Sequence, residues 1–221
     1  FFKSKLFLVD PISPLIISLI VYVAVTFFNF LFTELERSRV RGAFAQYLSP
    51  EMVNRLAESS EALVLGGERK EMTFLFSDIR GFTKISEQYK DDPEALTQLI
   101  NRLLTDLSNS ILDHGGTIDK YMGDCIMAFW NAPLDDAEHA QNCCNTAITM
   151  MEELQLLNES SDTKINIGIG INTGLCTVGN MGSEKRFDYS IIGDDVNLAS
   201  RLEGQCKTYG ANIIVGSKAA K

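Results

Sequence analysis

The sequence predicts an α+β domain, with helices packed on a sheet, behind an apolar helix long enough to cross a membrane. Three observations carry this. From Glu71 onward, β-type runs and helical patterns are mixed along the chain, with Gly and Pro between them. From Pro11 to Thr33 no residue is charged. Charge is also uneven: the net charge is −9, yet residues 1–41 hold five Lys or Arg against three Asp or Glu. Everything after residue 41 is therefore strongly acidic. An acidic domain argues against non-specific nucleic-acid binding, which needs a basic face. With 45% hydrophobic and 22% charged residues the chain is globular, and 221 residues allow one good-sized domain plus extra parts.

The N-terminal part comes first. Ile12 to Phe32 is rich in Ile, Leu, Val and Phe. A helix of about 21 residues spans about 32 Å, enough for the hydrocarbon core. A signal peptide would be followed by small residues, but Glu34-Leu35-Glu36-Arg37 follows instead. A core helix would show a polar stripe, whereas Ser13, Ser18, Thr26 and Asn29 are scattered. Lys3 and Lys5 precede the span, and Arg37, Arg39 and Arg41 follow it, a modest positive-inside bias. The expected division is 1–11 outside or between spans, 12–33 in the membrane, 34–65 a helical linker and 66–221 the folded domain. The chain opens on Phe1-Phe2, so more protein is expected upstream.

The linker reads as a helix from Glu34 to about Leu48, then a second one opened by Ser49-Pro50-Glu51 and running to about Ser60. Gly66-Gly67 breaks the chain before the domain. In the domain, strands are expected at 72–77, 117–119, 125–130, 165–172, 175–180, 188–192 and 212–215. Helices are expected at 82–90, 93–113, 136–158 and 195–206. Asp92-Pro93-Glu94 starts the second of these and Gly115-Gly116 ends it. Five cysteines without ligand spacing read as reduced, small apolar residues on a cytosolic side. His114 and His139 are far apart and read as structural or surface residues.

Two carboxylates carry the chemistry. Asp78 ends the run Met72-Thr73-Phe74-Leu75-Phe76-Ser77 and opens Ile79-Arg80-Gly81-Phe82-Thr83. Asp124 follows the turn Lys120-Tyr121-Met122-Gly123 and precedes Cys125-Ile126-Met127-Ala128-Phe129-Trp130. Each stands at the edge of a buried strand. If they converge they make a site for magnesium, and such sites usually handle phosphates. A helix starting near Phe82 would add backbone N–H groups suited to phosphate.

Residues 66–218 resemble the catalytic domain of the class III nucleotide cyclases. The resemblance is carried by Phe76 to Thr83, by Lys120-Tyr121-Met122-Gly123-Asp124, and by Gly193-Asp194-Asp195-Val196-Asn197-Leu198-Ala199-Ser200-Arg201-Leu202-Glu203. Residues 44–68 are also similar to the linker of membrane-bound bacterial members. The resemblance implies a ferredoxin-like, antiparallel-rich sheet that works as a head-to-tail homodimer with its active sites in the interface. It implies two Mg2+ ions, replaceable by Mn2+, on Asp78, Asp124 and the Ile79 carbonyl. Asn197 and Arg201, four residues apart on one helix face, match the transition-state pair; Arg suits charge developing on phosphorus.

Lys120 and Ser190 match the base-reading pair. Lysine donates to N1 of adenine, where guanylyl cyclases place Glu; the Ser hydroxyl stands where the commonest pattern has an Asp or Thr that accepts the adenine amino proton, and the subgroup with Thr is the nearer match. Phosphate contacts fall on Phe82, Thr83 and either Lys185 or Arg186. The resemblance extends past Lys221, where a triphosphate-binding Lys is expected, so the domain reads as C-terminally incomplete. The implied activity is ATP to 3′,5′-cyclic AMP and pyrophosphate, by in-line attack of the ribose 3′-hydroxyl, at a membrane with the domain cytoplasmic and in a signalling role. The alternatives are a weak or inactive cyclase-like scaffold, and a guanylyl cyclase. A scaffold would lack one of Asp78, Asp124, Asn197 or Arg201, and all four are present.

Overall fold

The computed structural model describes residues 12–44, 67–161, 163–183 and 186–220. The chain divides into two compact units, Phe1–Ala43 and Phe44–Lys221. Helix α1 (Ile12–Phe44) lies in the first, except for its last residue. It runs without a break past Thr33, where the sequence suggested that one helix ends and another begins. Pro14–Thr33, with a mean hydropathy of 2.5, is long and apolar enough to cross a membrane. Its few hydroxyls hide their protons on the helix itself. Ser18 donates to the Pro14 carbonyl at 2.8 Å, Thr26 to Tyr22 at 2.8 Å and Thr33 to Asn29 at 2.9 Å. Such back-bonding lets polar side chains sit in an apolar medium. Residues 1–11 and the expected linker helix over 51–60 lie outside the described residues.

The second unit holds β1 (Glu68–Ile79), α2 (Phe82–Gln88), α3 (Pro93–Asp113), β2 (Thr117–Met122), β3 (Cys125–Trp130), α4 (His139–Ser160), β4 (Ile167–Ser183), β5 (Arg186–Ile192), α5 (Asp194–Tyr209) and β6 (Ile213–Val215). The sheet order is β2-β3-β1-β4-β5, with β6 beside β4. All pairs are antiparallel except β4 with β6. This is the α+β, antiparallel-rich sheet with packed helices that the sequence predicts.

The alternation along β1 explains the layers. Leu75 and Ile79 join the core formed with Leu103, Leu107 and Ile111 of α3 and Ala147, Met150 and Leu154 of α4. Met72, Phe74 and Phe76 point the other way, into a second core with Met127, Phe129, Val178, Val196 and Ala199. β1 is thus buried on both faces, which its unbroken apolar run required. Asp78 has the parity of Phe74 and Phe76 and falls on the second face, where α5 packs.

Helix α3 starts as expected: Asp92 caps it by accepting from the Ala95 N–H at 3.0 Å, with Pro93 in the first turn. Helix α4 starts at His139 rather than 136. Asp136 uses its carboxylate on the Glu138 N–H at 2.9 Å and on Asn142 at 3.0 Å, which holds the preceding turn out of the helix. The larger correction concerns β4. The sequence suggested two strands split near Thr173-Gly174, but one strand of 17 residues runs through. Gly174 is not a turn. A Cβ there would lie 2.0 Å from Asp195 Oδ2 on α5. Gly170 plays the same part, since its Cβ would come within 2.2 Å of the Glu203 backbone N. These glycines let α5 lie directly on the sheet.

Candidate active site

Strand register brings the two key carboxylates together. β1 and β3 run antiparallel with Ser77 opposite Ile126. Asp78 and Asp124 therefore emerge at the same end, one from β1 and one from the turn that joins β2 to β3. Asp78 is half-buried, and its carboxyl sits above the usual carboxylate range. Burial is the main cause, and the Asp124 charge and a hydrogen bond with Asp124 add to it, while the Ile79 N–H opposes. Asp124 Oδ2 is buried without a hydrogen-bond partner among the described residues.

The sequence reading missed a third acid beside them. Glu203 on α5 lies over Gly168, which pairs with Asp78 across β1 and β4. Burial pushes the Glu203 carboxyl up, Asp78 and Asp124 add to this, and Arg80 opposes. The same carboxylates, after burial and together with Glu203, hold the Cys125 thiol at about 12. Uncompensated negative charge around an orphaned carboxylate oxygen fits a divalent cation. Among the described residues no three His, Cys, Asp or Glu side chains could hold a metal together.

Next to the pair, Gly81 takes a left-handed conformation (φ 69°) and starts α2. Phe82 packs its ring on the core, so only its backbone is offered outward; Thr83 is exposed.

A second cluster lies where the two edges of the sheet meet. Although β2 and β5 end the strand order, Lys120 Nζ is 3.3 Å from Ser190 Oγ. Ser190 donates to Asp119 Oδ2 at 2.7 Å, and Lys120 Nζ is 3.2 Å from Asp119 Oδ1. The cleft here, about 420 Å3, is lined by Met122, Met127 and Ile191 together with Lys120 and Ser190. Asp188 also lines it, and apolar walls with three polar side chains, Lys120, Asp188 and Ser190, suit a flat heterocycle. A larger hollow of about 590 Å3 along α4 includes none of the motif residues.

Asn197 and Arg201 project from the exposed side of α5, while Val196, Ala199 and Cys206 bury the other side. Neither makes a side-chain hydrogen bond or ion pair among the described residues, with the aspartates or with anything else. Lys185 lies outside the described residues, and of Arg186 only its place at the start of β5 is described. The histidines are structural, as read: His114 Nδ1 pairs with the Ser110 carbonyl at 2.8 Å and His139 Nδ1 with Thr73 Oγ1 at 2.7 Å. All five cysteines are free.

Residues 66–219 match the family model described as the adenylate and guanylate cyclase catalytic domain. The chain belongs to that family. Its cyclase domain is similar to adenylate cyclase 1 of Rhizobium meliloti (strain 1021), 35% identical over 77% of this chain and 26% of the relative. It is 39% identical to the adenylate cyclase of Anabaena cylindrica, over 66% of this chain and 29% of that one. The chain thus spans under a third of the length of these relatives. The crystal structure of the adenylyl cyclase CyaB from P. aeruginosa resembles the cyclase domain with a TM-score of 0.64 and 42% identity, covering 70% of this chain and 81% of that one. That of the guanylyl cyclase Cya2 also has a TM-score of 0.64, with 36% identity over 70% and 78% of the two chains.

Proposed function

We propose that the chain is part of a membrane-anchored adenylate cyclase that converts ATP to 3′,5′-cyclic AMP and pyrophosphate as a homodimer, with the cyclase domain in the cytoplasm and a role in signalling. The observation that carries this is the pairing of Lys120 with Ser190 at the edge of an apolar cleft. An ammonium donates to adenine N1, which is an acceptor, and meets a proton at N1 of guanine. The cleft therefore favours ATP over GTP, although relatives with both specificities share the fold.

Asp78, Asp124 and the Ile79 carbonyl would hold Mg2+, with Mn2+ able to substitute. A bound divalent cation would offset phosphate charge and lower the pKa of the 3′-hydroxyl. Lys120 and Ser190 hold the base and so fix where the ribose and α-phosphorus lie. Arg201, whose guanidinium has no partner among the described residues, donates to the oxygens on which charge develops at the α-phosphorus, and Asn197 one turn earlier supports it. Phe82, through its backbone, Thr83 and a basic residue at Lys185 or Arg186 contact the outer phosphates.

Among the described residues no hydrogen bond or ion pair joins the aspartates to Asn197 or Arg201 within one chain. A second copy would supply one set to the other. Exposed Met122, Ile192 and Leu198 beside these groups offer an apolar rim for that association. In this reading residues 12–33 span the membrane, 34–65 link the span to the cyclase domain, and 66–221 make that domain. The test is a cyclic nucleotide assay on the full chain with Mg2+ and either ATP or GTP. Preferential formation of cyclic AMP is expected; preferential formation of cyclic GMP would overturn the base reading.

A further inference from the structure

We propose that Asp119 is a positioning residue that fixes the Ser190 hydroxyl as an acceptor and thereby excludes guanine from the cleft. This rests on the reading of Lys120 and Ser190 as the base contacts.

Asp119 occupies an irregular place in β2. Ile118 faces Ala128 and Lys120 faces Met127, leaving Asp119 as the extra residue of a bulge. Neighbours on a regular strand point to opposite faces. The bulge lets adjacent Asp119 and Lys120 both reach Ser190, at 2.7 and 3.3 Å.

Burying a carboxylate is costly unless it is paired. The Asp119 side chain is 0% exposed, and its described partners are the Ser190 hydroxyl, the Lys120 ammonium and the Ile191 N–H. An apolar side chain would fill the same space without that cost, so its presence calls for a role beyond packing. Burial raises the Asp119 carboxyl above its ordinary value, and the Ser190 hydroxyl, the Lys120 ammonium 3.2 Å from Oδ1 and the Ile191 N–H oppose that rise and favour the ionised form.

An ionised carboxylate only accepts, and a serine hydroxyl has one proton. That proton is committed to Asp119 Oδ2. One lone pair accepts from Lys120 at 3.3 Å, so toward the cleft Ser190 presents only its remaining lone pair. Adenine offers an acceptor at N1 and a donor at its 6-amino group; guanine offers a donor at N1 and an acceptor at O6. The pair Lys120 (donor) and Ser190 (acceptor) matches adenine twice and opposes guanine twice. A serine free to rotate would instead donate to O6 and remove half of that discrimination.

The experiment uses the full chain in membranes, with kcat/KM measured for ATP and for GTP. Asp119→Asn keeps the volume. Its carbonyl oxygen stays toward Lys120, and its NH2 replaces Oδ2 and donates to Ser190, whose proton turns to the base. The ATP:GTP ratio should fall about tenfold or more, with GTP turnover rising in absolute terms. Asp119→Ala, which frees the hydroxyl, should lower the ratio less. In a Ser190→Ala background Asp119→Asn should leave the ratio nearly unchanged. A purely structural Asp119 would lower both rates and keep the ratio, and that result overturns the proposal.

Lys120→Ala separates the two levels. If it lowers the ratio while both Asp119 variants do not, the base reading stands and Asp119 has no part in it. If Lys120→Ala leaves the ratio unchanged, the base reading itself fails. Should the Asp119 variants not fold, purine riboside triphosphate on the unaltered protein decides. It retains N1 but lacks the amino donor, so kcat/KM about tenfold below that of ATP is expected. Equal values would overturn the acceptor role of Ser190.

Discussion

The carboxyl groups of Asp78 and Asp124 lie at the same end of β1 and β3, where Asp124 adds to burial in raising the Asp78 carboxyl. Neither has a basic partner among the described residues, and Glu203 adds a third acid nearby. The arrangement disfavours its own charge, and a divalent cation would relieve it.

Asp78→Ala and Asp124→Ala should each abolish turnover and leave the fold intact. Both side chains lie at strand ends, outside the two apolar cores. Thermal melting of each variant should stay within about 1 kcal/mol of the parent, as for substitutions that create no cavity. Near-parental turnover in either variant would contradict their role.

The raised carboxyl of Asp78 has a pH consequence. Its pKa is higher in the folded than in the unfolded state, so the folded protein binds its proton more tightly. The resulting stability is present below the unfolded pKa and is lost as pH rises through the raised one. Without metal, this pair should therefore weaken the fold at neutral pH, and Asp78→Asn should raise Tm there. Mg2+ or Mn2+ should raise the Tm of the parent at pH 7 and have little effect on Asp78→Asn. Melting curves with and without the cation check both statements.

Cys125 should be slow to alkylate. A thiol held at about 12 by burial, Asp78, Glu203 and Asp124 has little thiolate at pH 8. Its rate with iodoacetamide, followed by mass spectrometry, should be about a hundredfold or more below that of an ordinary exposed cysteine.

Gly170→Ala should disturb α5. The added methyl would meet the Glu203 backbone N at 2.2 Å and the Ala199 carbonyl at 2.3 Å, and backbone cannot move aside as a side chain can. A loss of about 2 kcal/mol or more is expected in denaturant unfolding, with activity falling because α5 carries Asn197 and Arg201.

These relationships were unevenly legible in the sequence. β1 could be read because its apolar run is local, and α3 because Asp92-Pro93 and Gly115-Gly116 mark its ends. β4 was misread at Thr173-Gly174 because the reason for Gly174 is a helix that arrives from later in the chain. Asp119 passed unnoticed since the bulge that turns it toward Ser190 arises from pairing with β3, not from the alternation of β2. Glu203 could be placed on a helix, but its approach to Asp78 depends on how α5 lies across Gly168 and Gly170. The two aspartates could be suspected of meeting; the register that brings them together is a property of the sheet.

Arg201→Ala should lower kcat about a hundredfold or more while changing KM little, as for a donor that acts on the transition state. Steady-state kinetics over a range of ATP concentrations separate the two parameters. A variant altered only in KM would assign Arg201 to ground-state binding.

The central claim is that one copy's aspartates work with the other copy's Lys120, Asn197 and Arg201. It is tested most directly by mixing Asp78→Ala protein with Arg201→Ala protein, each inactive alone. In a mixed dimer one site keeps both groups and the other loses both, so cyclic AMP formation should return to a substantial fraction of the parental rate. No recovery in a sample shown by differential tags to contain mixed dimers would place each site within a single chain and contradict the account.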